Sequence, residues 1–219
     1  MLEISLPEDF SRNLECSLHC PDVSLAQLEK LCSEARAHHF VSVGINGSWV
    51  VATRHLLEDS EVKVSCAVGF PLGATASDVK RFETETAVDD GAQEIDVVLN
   101  IARLKAGEDK YVLRELIDVT EAADERAVKV IMETCLLSNE EKVRACQIVV
   151  ESGAHFVKTS TSFNGAATTI GDVQLMRKIV GQKFGVVATL GAFDPQTALA
   201  MFTAGATRVN FNLTSRKVF

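Results

Sequence analysis

The sequence predicts a single α/β domain of the (β/α)8 TIM-barrel type, spanning residues 1–219. Three observations favour this fold class. Strand-like and helical segments alternate along the whole chain, the strand candidates number eight, and polar residues recur where those candidates end. The length of 219 residues is near that of a small barrel. No G-x-G-x-x-G segment follows the first strand candidate, which argues against an open dinucleotide-binding sheet.

The strand candidates are short, β-branched and almost continuously apolar, as is typical of parallel strands that are covered on both faces. The first is the least regular of the eight. The eight segments are residues 13–18, 40–45, 62–70, 94–100, 127–134, 155–161, 184–190 and 206–211.

The intervening segments have the periodicity and end signals of amphipathic helices. "SLAQLEKLCSEARAH" begins at a capping residue, Ser24, and "TASDVKRFETETAVDDG" ends at Gly91. "SNEEKVRACQIVVESG" has the Ser138–Glu141 spacing of a capping box and stops at Gly153. At least seven such helices are expected between the strands.

Composition excludes several classes of partner. The chain has 22 basic and 30 acidic residues, a net charge of −8, so neither nucleic acid nor an anionic membrane is an expected partner. No segment approaches the roughly 20 apolar residues of a membrane span. The start, "MLEISLPEDFSRN", lacks the basic and apolar regions of a signal peptide, so a cytoplasmic location is expected.

The six cysteines do not form a recognisable metal motif. Cys16 and Cys20 flank His19, but no second pair of ligands completes a four-ligand site. Reduced, mostly buried thiols are the usual state of such residues in a cytosolic chain. No metal and no other cofactor is predicted.

Period-two alternation along three strand candidates predicts side chains that face the barrel interior. Two lysines and two or three carboxylates would meet there. The predicted inward groups are Glu94, Asp96, Val98 and Asn100; Lys129, Ile131 and Glu133; and Phe156, Lys158 and Ser160. A purely structural ion-pair network is the alternative. Because buried ion pairs seldom add net stability, a functional role is favoured.

Lys158, within "HFVKTSTSFNG", is the candidate nucleophile. A desolvated lysine beside a second ammonium loses its proton more readily, and the neutral amine can form an imine with a carbonyl compound. Lys129 would be the cationic neighbour, and Asp96 the group that handles protons. The hydroxyl groups at positions 159–161 are expected to be near a bound substrate.

Three blocks of sequence are similar to those of the deoxyribose-phosphate aldolase family. They are "SCAVGFPLGATASDVKRFETETAVDDGAQEIDVVLNI", "VKVIMETCLLSNEEKVRACQI" and "GAHFVKTST", in the family's order and spacing. The resemblance implies a metal-independent class I aldolase on a (β/α)8 barrel. Such an enzyme cleaves 2-deoxyribose 5-phosphate to acetaldehyde and glyceraldehyde 3-phosphate in carbohydrate catabolism.

The resemblance also assigns roles to residues. Lys158 matches the lysine that forms the Schiff base, Asp96 the catalytic aspartate and Lys129 the neighbouring lysine. Substrate contacts are expected at Ser17, Thr161 and Gly191. The partner is a small carbonyl compound, and the family resemblance is compatible with a homodimer.

The chain departs from the family pattern, as a divergent member would. Valine stands at position 187, where a second essential lysine is expected in strand seven. The other departures remove glycines or basic residues from the expected phosphate site: Ala166, Ala167, Leu190, Phe193, Cys20 and the segment "NFNLT" (210–214).

These departures leave alternatives to a deoxyribose-phosphate aldolase. One is a Schiff-base lyase that acts on a different, non-phosphorylated carbonyl substrate. The other is a catalytically inert barrel that binds a metabolite or a partner protein. Retention of Lys158, Asp96 and Lys129 together argues against the inert barrel.

Overall fold

The computed structural model describes residues 8–164 and 168–213, and within them it forms a closed barrel of eight parallel strands. Each strand pairs with its neighbours in chain order, and the last pairs with the first through Leu14 and Val209. The (β/α)8 fold predicted from the sequence is confirmed.

Every predicted strand segment overlaps one strand of the barrel, and β2 and β8 each end one residue beyond the predicted segment. The strands are β1 Leu14–Leu18, β2 Ser42–Asn46, β3 Lys63–Val68, β4 Glu94–Val98, β5 Ala127–Ile131, β6 Phe156–Lys158, β7 Gly185–Leu190 and β8 Arg208–Asn212.

Helices connect the strands and form the outer layer. They are α1 Glu8–Ser11, α2 Leu25–Ala37, α3 Val50–Leu56, α4 Ser77–Asp89, α5 Ile101–Lys105, α6 Asp109–Ala122, α7 Asn139–Glu151, α8 Ile170–Val180 and α9 Pro195–Ala204. Single 3-10 turns span Gly47–Trp49 and Thr134–Leu136. Within the described ranges, no helix is both long and apolar enough to cross a membrane.

The helix starts follow from local hydrogen bonding. Ser24 caps α2 and Ser138 caps α7, each in a reciprocal capping box with the residue three positions on. The box at Ser138 is the one that the sequence predicts. Thr169 makes the same arrangement with Asp172 at the start of α8. These caps fix where the chain enters three of the helices.

β5 and β6 each end three residues before the predicted segment does, because the backbone turns away from the barrel. β5 ends at Ile131, and Glu133 then adopts a left-handed conformation with φ of 50°. β6 ends at Lys158, and Ser162 in the following loop also has a positive φ, of 66°. Lys158 is therefore the last residue of its strand, at the carboxyl-terminal mouth of the barrel.

The two faces of the strands differ in chemistry. Outward-facing valines, leucines and isoleucines pack with the helices into one buried apolar cluster. Val98, Ile131 and Val187 are equally buried but lie outside that cluster, because they face the barrel interior. Most of the charged groups that the strands bury also face the interior, so a catalytic site is expected there.

Candidate active site

Lys158 lies at the centre of a buried ionic cluster. Its Nζ atom is 2.5 Å from Oδ2 of Asp96 on β4 and 3.4 Å from Oε2 of Glu15 on β1. All three side chains are almost completely buried. The two contacts join β6 to strands on other sides of the barrel, so closure of the sheet is what assembles them.

Lys129 is the second lysine of the cluster, on the strand between Asp96 and Lys158. Its Nζ atom lies 2.8 Å from Glu94, 2.9 Å from Asp96 and 3.1 Å from Glu15. Asp96 and Glu15 therefore each contact both lysines, through different carboxylate oxygens. The convergence of Lys158, Asp96 and Lys129 that the sequence predicts is present in the structure.

Arg208 adds a third cation at the lower end of the cluster. Its Nη1 atom is 3.0 Å from Glu15 and 2.9 Å from Glu94, and its guanidinium stacks 4.5 Å from the ring centre of Phe156. These described interior residues then comprise three carboxylates and three cations, with no net formal charge when all are ionised. Such pairing offsets much of the cost of burying charges.

The charge pairing sets the protonation of the acids. Burial alone would raise the pKa of Asp96, but the charges and hydrogen bonds of Lys129 and Lys158 outweigh it and lower that pKa. Burial likewise opposes ionisation of Glu94, whereas Lys129 and Arg208 lower its pKa. Both groups are therefore carboxylates at neutral pH.

The same charges hold Lys129 in its protonated form. Burial alone would lower the pKa of Lys129, but Asp96, Glu15 and Glu94 raise it above its usual range. Lys129 is therefore a fixed cation beside Lys158 and a poor nucleophile at neutral pH. Ser65 completes the surroundings of Asp96 by donating a 2.8 Å hydrogen bond to its Oδ1 atom.

Three residues that the sequence places on the inward faces lie outside the ionic cluster, because the strands end before them. Asn100 caps α5 by accepting a hydrogen bond from the backbone N–H of Arg103. Glu133 accepts hydrogen bonds from the hydroxyl of Ser160 and from the backbone N–H and hydroxyl of Thr161. The period-two pattern therefore does not extend to these positions.

The hydroxyl groups after β6 already have protein partners. Thr159 accepts a hydrogen bond from the backbone N–H of Thr189 and contacts the hydroxyl of Thr168 at 2.7 Å. Thr161 is held by Glu133 and accepts a hydrogen bond from the backbone N–H of Phe163. These bonds shape the loop over the mouth, and a substrate contact by Thr161 stays a prediction.

The other two candidate binding residues lie at the same end of the barrel. Ser17 is buried and its hydroxyl donates a 2.6 Å hydrogen bond to Oδ1 of Asn210 on β8. Gly191 follows β7 and is exposed, with open space where a side chain would be. Its carbonyl accepts a hydrogen bond from the backbone N–H of Asn212.

Val187 faces the interior next to Lys158. The two residues are register partners on neighbouring strands, so their side chains lie on the same face. Gly185, two residues earlier, supports this orientation, since a Cβ atom there would overlap the ring of Phe156 inside the barrel. The lysine expected at position 187 would therefore project into the cluster, and valine leaves that place apolar.

Two of the departures in the expected phosphate region are apolar side chains that pack against other apolar groups. Leu190 is buried in the outer apolar cluster, and the ring of Phe193 packs 4.8 Å from the ring of Phe211. Ala166, Ala167 and Thr214, which also depart from the family pattern, lie outside the described residues.

The "GFPLG" segment, residues 69–73, forms one wall of the mouth. Gly73 is required because a Cβ atom there would lie 2.1 Å from the carbonyl oxygen of Leu99. The backbone N–H of Gly69 donates a 2.7 Å hydrogen bond to Glu83. This anchoring holds the ring of Phe70 in edge-to-face contact with Phe163, 5.1 Å away.

Sequence reasoning missed two members of the ionic cluster. Glu15 contacts both lysines. It belongs to the least regular strand candidate, and no other charged residue near it in sequence indicated an inward-facing ionic group. Arg208 is the first residue of β8, and a charged residue at the start of a strand usually indicates an exposed strand end and not an interior group. Both lie two residues before a buried polar residue, Ser17 and Asn210 respectively, and that alternation is the signal that could have found them.

Comparisons with known proteins agree with the fold. The family model described as DeoC/LacD family aldolase matches residues 8–210. A curated deoxyribose-phosphate aldolase from Bdellovibrio bacteriovorus is 49% identical over 199 residues, covering 91% of this chain and 90% of the relative. The solved structure of QR15, an aldolase, superposes with a TM-score of 0.89 at 33% identity, covering 93% of this chain and 91% of QR15. A tetrameric deoxyribose phosphate aldolase from Aeropyrum pernix has a TM-score of 0.87 at 26% identity, covering 97% and 89%.

Proposed function

The chain belongs to the DeoC/LacD family of aldolases, and we propose that it reversibly cleaves 2-deoxyribose 5-phosphate to acetaldehyde and glyceraldehyde 3-phosphate. The name of the relative from Bdellovibrio bacteriovorus supports this substrate. The observation that carries the proposal is the buried Nζ atom of Lys158, 2.5 Å from Asp96 at the mouth of the barrel. Neither a different carbonyl substrate nor an inert barrel accounts for relatives of this similarity as directly.

Lys158 is proposed as the nucleophile. Its neutral amine adds to the C1 aldehyde, and loss of water gives an iminium ion. Removal of the proton from the C3 hydroxyl then lets the electrons of the C2–C3 bond move to the iminium, which releases glyceraldehyde 3-phosphate and leaves an enamine. Protonation of the enamine at C2 and addition of water release acetaldehyde and restore the amine.

Asp96 is proposed to stabilise the iminium and to accept protons only transiently. A carboxylate whose pKa is lowered is a weak base, so it does not store the proton from the C3 hydroxyl at neutral pH. Its charge lies 2.5 Å from the nitrogen that becomes the iminium, where an anion stabilises the developing cation. Lys129, held by three carboxylates, is proposed to keep Asp96 ionised and in position.

Borohydride trapping tests the proposal directly. Incubation with acetaldehyde and sodium borohydride should convert Lys158 to N-ethyl-lysine, which peptide mapping by mass spectrometry locates. Lys158→Arg keeps the positive charge but cannot form the imine, so it should abolish both the adduct and cleavage of 2-deoxyribose 5-phosphate. Lys30→Arg, at an exposed position, is the matched control and should change neither. An adduct on a surface lysine, with Lys158 unmodified, would refute the proposal.

The assembly and the location of the protein are also proposed. We propose a homodimer, from the family resemblance, although the Aeropyrum pernix relative is described as a tetramer. Light scattering distinguishes the two, because the chain mass is 23.7 kDa. A cytoplasmic location is supported by six cysteines that are all free thiols, the state that a reducing compartment maintains.

A further inference from the structure

His19 directly follows β1 at the carboxyl-terminal end of the barrel, close enough to Lys158 and Asp96 for their charges to act on it. Glu15, Ser17 and His19 are spaced at two-residue intervals along β1 and just beyond its end. Glu15 contacts Lys158, and Ser17 bonds to Asn210 one level higher. His19 is the next residue of this spacing toward the carboxyl-terminal mouth, one residue beyond the end of β1.

The imidazole ring is held in a defined position. It packs against Phe70 with ring centres 4.6 Å apart, and the backbone carbonyl of His19 accepts a hydrogen bond from Asn46. Gly44 makes room for it, because a Cβ atom there would lie 2.7 Å from the Ser17 hydroxyl and 3.4 Å from Nε2 of His19. Ser17 and the Nε2 atom therefore border the same small space on the inner wall.

The Nε2 atom of His19 is buried and has no hydrogen-bond partner among the residues that the structure describes. Leaving a buried polar atom unpaired is costly, and most such atoms in folded proteins are paired. A leucine at this position would pack against Phe70 without that cost. The unpaired atom therefore points to a partner that arrives with the substrate.

Electrostatics make His19 a hydrogen-bonding group and not a base. Burial and then the charge of Lys158 lower its pKa to about 3; Asp96 opposes this shift and Lys129 adds to it. The imidazole is therefore neutral at physiological pH and too weak a base to retain a proton. A neutral ring also offers no charge to a phosphate, whereas a hydroxyl group suits it well.

We propose that Nε2 of His19 binds the hydroxyl group on the carbon next to the acceptor carbonyl, which makes His19 a specificity-determining residue. In the proposed cleavage this is the hydroxyl group on C4, a carbon that is three bonds from the imine carbon C1 and on the side toward the mouth. Asp96, in contact with Lys158, serves the atoms nearer the imine. The inference rests on the proposed aldol reaction at Lys158.

The test is aldol addition of acetaldehyde to two acceptors of similar size. Glycolaldehyde carries the hydroxyl group and propanal carries a methyl group in its place; neither has a phosphate. The measured quantity is the ratio of kcat/KM for glycolaldehyde to that for propanal. His19→Leu should lower this ratio about ten- to a hundredfold by losing the contact to glycolaldehyde, with little change for propanal.

Two polar variants separate the hydrogen bond from packing. In His19→Gln the amide reaches the place of Nε2, so the ratio should stay within about threefold of the wild-type value. In His19→Asn the shorter amide stops near the place of Nδ1, so the ratio should fall as it does for leucine. His55→Leu replaces an exposed histidine and should leave the ratio unchanged.

The outcomes are distinguishable. An unchanged ratio in both His19→Leu and His19→Asn, or an equal loss for both acceptors, overturns the inference. So does a wild-type enzyme that traps acetaldehyde on Lys158 but fails to add it to glycolaldehyde. Failure of acetaldehyde trapping on Lys158 counts instead against the proposed function.

Discussion

Replacing Lys129 by methionine should destabilise the barrel strongly, because it removes the cation that three buried carboxylates share. The three contacts are 2.8 Å to Glu94, 2.9 Å to Asp96 and 3.1 Å to Glu15. At an effective dielectric constant near 20, each such contact is worth about 5 kcal/mol before the cost of desolvation. Measured losses for breaking a buried ion pair are about 3–5 kcal/mol, and we expect Lys129→Met to lower the free energy of unfolding by this amount at pH 8.

The size of this loss should depend on pH in a defined direction. In the wild-type protein the pKa values of Asp96 and Glu94 are lowered, so the stability they contribute is present above pH 4 or so and is lost on acidification. Without the positive charge of Lys129, the effect of burial, which raises the pKa of both acids, is opposed less strongly. At least one of these acids therefore binds a proton at higher pH than it does in the wild type. As the pH falls, the free energy of unfolding of the variant therefore rises relative to that of the wild type. The difference in free energy of unfolding between the two proteins should be smaller at pH 5 than at pH 8.

Urea denaturation followed by circular dichroism at the two pH values measures both effects. Lys63→Met is the matched control, since Lys63 contacts the same Glu94 at 3.6 Å but has a side chain that is 46% exposed. An exposed pair contributes about 1 kcal/mol at most, so this variant should show a small loss that does not vary with pH. A loss below about 1 kcal/mol for Lys129→Met, or a loss equal at both pH values, would refute the reasoning.

Two further predictions concern the departures from the family pattern. We expect the rising limb of the wild-type pH–rate profile on the alkaline side of neutrality. Val187→Lys adds a fourth cation to the neutral ionic cluster, so it should move this limb to lower pH. Val187→Met introduces a side chain of similar length without the charge and should not move the limb. Phe193→Arg should raise kcat/KM for 2-deoxyribose 5-phosphate about tenfold by adding a charge-assisted contact, with no gain for unphosphorylated 2-deoxyribose. A gain on both sugars, or an unshifted limb in Val187→Lys, would contradict the respective argument.

The strand order and the helix starts were predictable because their signals are local. Ser138 and Glu141 identify a helix start by themselves, and the structure contains the capping box that they predict. The convergence of Lys129 and Asp96 was also predictable, since the two residues lie on consecutive strands in register. Period-two alternation within strands and adjacency between them are enough for such a prediction.

The rest of the site depends on contacts that no local pattern encodes. Glu15 reaches Lys158 from a strand 143 positions away in sequence, and Arg208 reaches Glu15 only because β8 closes on β1. Glu133 was misplaced because its left-handed backbone ends the alternation two residues early. His19 gave no functional signal, because its significance comes from Gly44 and Phe70, which are distant in sequence.

The charge balance of the interior explains what valine at position 187 changes. With Lys129, Lys158 and Arg208 opposite three carboxylates, the described cluster is neutral when every group is ionised. Converting Lys158 to a neutral amine leaves one net negative charge, whereas the iminium restores neutrality. The cluster is therefore matched to the iminium more closely than to the free amine that must form it. A lysine in place of Val187 would reverse that preference, because its positive charge would favour the neutral amine of Lys158. With valine at this position, the imine forms less readily, but the iminium is stabilised more strongly once it has formed.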